Sequence, residues 1–204
     1  MKLPFFNKRL STPEEFWAWF LSPDGQTTVA ETASQSQRAQ AAISKIGDML
    51  HKVNSDLSWG MVPPSQDNPG RFEVSAGGIR SVIPAVLAVV EAAPQLPNWH
   101  VVAFKQPVED IQLIYAGQEI DSSTVTCQEV GRNGELIDLN VYVPLPVDAP
   151  KKLIGEIGFI VLDHTLGEYV VMTKIGALNF DYTINAPPTV MLVKELAAKL
   201  SADK

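Results

Sequence analysis

The chain reads as an α+β protein: a mostly antiparallel sheet of about seven or eight strands packed against several helices, with one β-α-β crossover. Three observations predict this. Apolar residues recur at helical spacing near residues 33 to 53, 82 to 93 and 149 to 166. Between those stretches lie short segments in which apolar and polar residues alternate, the period of a half-buried strand. Gly, Pro and Asn punctuate the segments at the places where turns are needed.

Taken in order, Ser11-Thr12-Pro13-Glu14-Glu15 is a helix start, because Thr12 can cap, Pro13 fits the first turn and Glu15 completes a capping box. The helix that follows carries Phe16, Trp17, Trp19 and Phe20. A stacking platform for a sugar or base would also need polar groups to fix orientation, so docking of this aromatic side onto the core is the expectation. Ser22 to Gly25 reads as a turn. From Ala33 to Val53, the residues Ala39, Ala42, Ile43, Ile46, Leu50 and Val53 follow helical spacing, with His51 at the stripe's border. Leu57 to Met61 and Phe72 to Ala76 then alternate as two strands around a Pro-rich loop from Pro63 to Gly70. Gly77-Gly78 leads into a helix from Val82 to Ala93, capped by Ser81 and ended by Pro94. Trp99 to Lys105 is apolar on both faces and reads as a central strand, parallel to the Arg71 to Ala76 strand across a right-handed crossover.

The second half continues with Ile111 to Ile120, a short hairpin turning near Gly117. Over these ten residues the chain resembles a strand-turn-strand piece of ubiquitin, which implies a hairpin and nothing larger. A longer hairpin follows over residues 124 to 143, with positive φ supplied at Asn133-Gly134 and with Ile137, Leu139, Val141 and Val143 sharing one face. Asp148 is the expected N-cap of a helix running to Gly167, apolar on most sides. Beyond it, two alternating stretches, Tyr169 to Ile175 and Leu178 to Ile184, read as strands joined by a turn at Gly176. The last element, Thr189 to Leu200, is an amphipathic helix presenting Leu192, Val193, Leu196 and Leu200.

With 204 residues, 46% of them hydrophobic, the chain can bury roughly 70% of its unfolded surface, so a single domain over 1 to 204 is the expectation, with two small ones left open. A formal charge of −7 argues against nucleic acid and anionic lipid, since binding a phosphate backbone needs clustered Lys and Arg. A protein partner, if there is one, should be basic; self-association is left open. Cys127 is the sole cysteine, which excludes an internal disulfide and a thiolate metal cage, and it should pack as a small apolar side chain. MKLPFFNKRL lacks an apolar signal-peptide core, and no run is long enough to span a membrane. The expected location is cytoplasmic.

Chemistry is hard to assemble from these residues. Gly77-Gly78 lacks both a following Lys-Ser/Thr and the G-x-G-x-x-G spacing, so no nucleotide cofactor is expected. His51, His100 and His164 are too few and too scattered for a zinc set, so no metal is expected. The one polar interruption of the long apolar helix, Asp163 and His164 with Glu168 just past its end and Glu156 two turns before, is the candidate catalytic group: a hydrolase would use Asp163, His164 and Glu168. The competing expectation is that these side chains tie off the helix end. FWAWF, RFEVSAGG, EAAPQLPNWHVVAF and LDHTLGEYVVMTKIGALNF, spread from Phe16 to Phe180, together resemble a bacterial family known only as a domain of unknown function. That resemblance implies an architecture, no activity and no site residue. The functional expectation is therefore a non-catalytic bacterial cytoplasmic binding or interaction protein, with a toxin-neutralising immunity protein as one concrete version and the hydrolase as the alternative.

Overall fold

The computed structural model describes residues 11–32, 37–65, 68–108 and 110–202. The sequence reading of the first ten residues, and the start of the second predicted helix at Ala33, lie outside them. The protein is α+β, and its contacts fall into two compact units, Met1–Phe104 and Lys105–Lys204.

In the first unit, helix α1 (Pro13–Leu21) begins as its sequence demands. Glu15 N–H donates to Thr12 Oγ1 at 3.3 Å and Thr12 N–H donates to Glu15 Oε2 at 3.1 Å, the reciprocal capping box. Its aromatic side is inside: Phe16, Trp17 and Phe20 are buried around Phe72, and Trp17 Nε1–H donates to the Val89 carbonyl at 2.7 Å. Ser22 to Gly25, read as a turn, instead opens a further helix, α2 (Pro23–Thr32). Its buried residues are only Gly25 and Thr28, so it carries no apolar stripe from which it could be recognised. Gly25 is obligatory there, because a Cβ would meet Phe20 O at 2.6 Å. In α3 (Gln37–His51), Ala42, Ile46 and Leu50 are the buried members of the predicted stripe.

Strands β1 (Ser58–Val62), β2 (Gly70–Ser75) and β3 (Trp99–Ala103) form a three-stranded sheet in that order. β1 and β2 are antiparallel; β2 and β3 are parallel, joined through α4 (Ile83–Glu91) as the crossover reading expects. β3 is an edge strand, though, and only half-buried, with Trp99 packed against Gly70, so its apolar run does not mark a central place. Ser81 does not cap α4; a 3-10 turn, Arg80–Val82, leads into it, with no side-chain cap at Val82.

The second unit holds the hairpin β4 (Gln112–Tyr115) and β5 (Gln118–Asp121) as its own two-stranded sheet, and a four-stranded sheet in the order β8 (Ile175–Tyr182), β7 (Leu136–Val143), β6 (Thr126–Asn133), β9 (Met191–Leu192). Strands β6 (Thr126–Asn133) and β7 (Leu136–Val143) are the predicted long hairpin, with Gly134 alone at positive φ. Helix α5 (Lys151–Leu166) buries Ile154, Ile157, Val161 and Leu162 in one core with Ile137, Leu139, Val141 and Val143. Its N-cap is Pro150 without a side-chain bond, so Asp148 does not cap it. Gly167, at φ 83°, ends it as expected.

Tyr169 to Ile175 is not a strand and Gly176 is not a turn: residues 168–174 form α6 (Glu168–Lys174), and β8 (Ile175–Tyr182) runs parallel to β7. The buried residues Glu168, Val171, Met172 and Ile175 stand at i, i+3, i+4 and i+7, a helical pattern masked by the β-favouring side chains Tyr, Val and Thr around it. The single mostly antiparallel sheet of seven or eight strands is replaced by three small ones, because β1, β2 and β3 pair only with one another and β4-β5 pairs only with itself. The last strand, β9 (Met191–Leu192), precedes α7 (Val193–Ala202), whose Val193 and Leu196 enter the core. No helix among the described residues is long and apolar enough to cross a membrane.

Candidate functional site

The break between α5 and α6 brings Asp163 and Glu168 together, both buried, and the group that answers them is Lys105. Lys105 Nζ lies 3.0 Å from Asp163 Oδ2. Its backbone N–H donates to Glu168 Oε2 at 3.0 Å, and its carbonyl accepts the Glu168 N–H at 3.1 Å. His164 turns elsewhere: its Nδ1–H donates to the Ile160 carbonyl at 2.8 Å, while its own carbonyl accepts Val108 N–H at 2.7 Å. Glu156 is outside the group and pairs with Tyr115 and Lys152. So the three candidates do not converge on a reactant. Asp163, Glu168 and the His164 carbonyl lace the segment 105–108 to the end of α5, which is why buried carboxylates are tolerated there.

The other candidates are equally occupied or remote. His51 Nε2–H donates to the Leu57 carbonyl at 2.9 Å. His100 is exposed on the edge strand β3. Cys127 is fully buried in β6, and burial, with the Glu195 charge adding to it, pushes its thiol up to about 11. Among the described residues no cluster of His, Cys, Asp and Glu could hold a metal ion.

What the second unit does offer is a cavity of about 540 Å³, which shares the 105–108 segment as a wall. Its apolar lining comes from Pro107 and Val108, from Leu166 and Val170 at the α5–α6 junction, and from Ala197 and Leu200 of α7. Its polar lining comes from separate stretches: Asp110, Ser122, Ser123, Thr165, Lys194 and Ser201. Lys194 Nζ stands 3.7 Å from Asp110 Oδ1, a pair too long to be a hydrogen bond. Asp110 is held at φ 46°, in the left-handed region. Asp121 anchors the Ser122–Ser123 turn by accepting the Ser123 N–H at 2.8 Å, and hydrogen bonding to Ser123 holds its carboxyl below the usual range, helped by Gln112 and, at longer range, Lys194.

Sequence reasoning reached the neighbourhood of this cavity through Asp163, His164 and Glu168 but missed its lining. No spacing rule connects Asp110, Ser122 and Lys194; the only local signal is the Asp121-Ser122-Ser123 turn. No family model, curated protein or solved structure matches the chain.

Proposed function

We propose that the chain is a non-catalytic binding protein and that the cavity beside the α5–α6 junction is its binding site. One observation carries the reading. The side chains able to do acid-base work, Asp163, His164 and Glu168, are committed to Lys105 and to backbone, while the cavity next to them is lined by apolar groups, hydroxyls and one ion pair. Its volume of about 540 Å³ falls in the range of roughly 300 to 1,000 Å³ typical of small-molecule sites. The chain's net charge of −7 further favours a basic macromolecular partner over an anionic one, as an immunity-like role would use.

The test is binding of the fluorescent amphiphile 8-anilinonaphthalene-1-sulfonate to the full chain. Ala198→Trp should block it, since Ala198 lines the cavity from an exposed position of α7 where a larger side chain need not disturb the core. Saturable binding that weakens about tenfold or more, near 1.4 kcal/mol, in the variant supports the site. Absence of binding, or binding that the tryptophan leaves unchanged, rejects it. Ester or phosphoester hydrolysis abolished by Asp163→Asn would instead establish the hydrolase.

A further inference from the structure

Resting on that reading of the cavity, we propose that its ligand is a free α-amino acid with a large apolar side chain, branched or aromatic. Lys194 and Asp110, both in the lining, stand 3.7 Å apart with their side chains half-exposed or more. At that separation the ammonium and the carboxylate attract without sharing a proton, so each keeps donor or acceptor capacity for a third party. The lining carries one positive and one negative group, and hence no net charge to be neutralised. A ligand bearing a single carboxylate would gain Lys194 and be opposed by Asp110, with the Asp121 carboxylate near enough to act on the same lysine. A ligand bearing only an ammonium would gain Asp110 and be opposed by Lys194. A zwitterion satisfies both.

Charge separation narrows the class. An α-amino acid holds its ammonium nitrogen and carboxylate oxygens about 3 Å apart, which matches the 3.7 Å gap between Nζ and Oδ1 and lets the four charged groups close an alternating square. A peptide, whose termini stand farther apart, does not. The rest of the lining bears on the side chain: Val108, Leu166, Val170, Ala197 and Leu200 supply apolar surface, beside the hydroxyls of Thr165 and the lining serines. An apolar side chain buried there gains in proportion to the area removed from water, and a cavity of about 540 Å³ leaves ample room for a leucine- or phenylalanine-sized one.

The experiment is calorimetric titration of the full chain near neutral pH with L-leucine, L-phenylalanine, N-acetyl-L-leucine and 3-methylbutylamine, alongside the dye. At least one free amino acid should bind, with the acetylated acid and the amine each at least about tenfold weaker. Lys194→Met and Asp110→Asn should each weaken the amino acid about tenfold, and Asp110→Asn should not weaken N-acetyl-L-leucine; both positions are exposed, so both variants should fold. If the dye binds at the cavity but no zwitterion does, or if N-acetyl-L-leucine binds as tightly as L-leucine, the amino-acid assignment is wrong and the binding-site reading survives. Loss of dye binding as well overturns both.

Discussion

The side chain of Lys105 ends 3.0 Å from Asp163 while its backbone N–H and carbonyl are both taken by Glu168, so one residue answers two buried acids through different atoms. Only the side-chain contact can be removed by mutation. Lys105→Met leaves Asp163, whose side chain is 4% exposed, as an uncompensated buried charge with its Oδ1 already lacking a partner among the described residues. Because the lysine end of the pair is 41% exposed, water softens the loss, and the expected destabilisation is about 1 to 3 kcal/mol by urea unfolding. Converting both partners, with Asp163→Leu added, should recover most of it, since removing a pair outright leaves nothing unsatisfied. A single variant as stable as the parent would show that the pair does not hold the 105–108 segment. This contact also marks the limit of what could be read from residues alone: a polar interruption at Asp163 and Glu168 is visible in the sequence, but its partner lies 58 positions upstream, and nothing local announces it.

At the scale of elements, legibility followed the strength of the periodic signal. α1, α3, α5 and the β6–β7 hairpin carry caps, stripes or turn residues that leave one reading. α2 carries only Gly25 and Thr28 inside, and α6 presents its buried face in residues that also suit a strand, so both were missed. The packing of α5 on β8 shows a determinant that periodicity does not register. A Cβ on Gly158 would sit 2.7 Å from Phe180 Cε1 and 3.2 Å from Val143 Cγ2, whereas one on Gly155 would find Phe180 Cδ2 at an ordinary 3.7 Å. Replacing a helical glycine with alanine ordinarily gains about 0.5 to 1 kcal/mol, and Gly155→Ala should show that gain. Gly158→Ala should instead destabilise by about 1 to 2 kcal/mol, because overpacking of about 1 to 3 kcal/mol outweighs the backbone benefit. Adding Phe180→Leu should relieve it. Thermal melts of the two alanine variants that moved in the same direction would contradict this packing.

For the molecule as a whole, the ionisable groups with shifted affinities divide by sign, and the division sets a pH profile. Hydrogen bonding lowers Glu14 through backbone and Thr12, Asp24 through Lys45 and Trp19, Glu129 through Arg132, and Glu135 through Lys174, with Asp121 lowered likewise by Ser123. A carboxyl whose folded affinity for protons is depressed binds more protons when unfolded, so stability is present above the ordinary values of 3.8 and 4.5 and is lost as the pH falls below them. The alkaline side depends on the two groups raised in the folded chain, Lys174 through its hydrogen bond and attraction to Glu135, and the buried Cys127. The Cys127 thiol rises from 9.0 to about 11 through burial, so the unfolded chain ionises first, the native state retains the proton, and stability is lost as pH climbs through that window. Two units correspond to about 2 to 3 kcal/mol. Urea midpoints from about pH 3 to about pH 11 should trace a plateau between the acid and alkaline falls. Cys127→Ala lowers the plateau by creating space in the core but should flatten the fall between 9 and 11, and the two effects separate because only the second depends on pH. If parent and variant lose stability in parallel across that window, the buried thiol is not its cause, and lysine and tyrosine ionisation elsewhere must be.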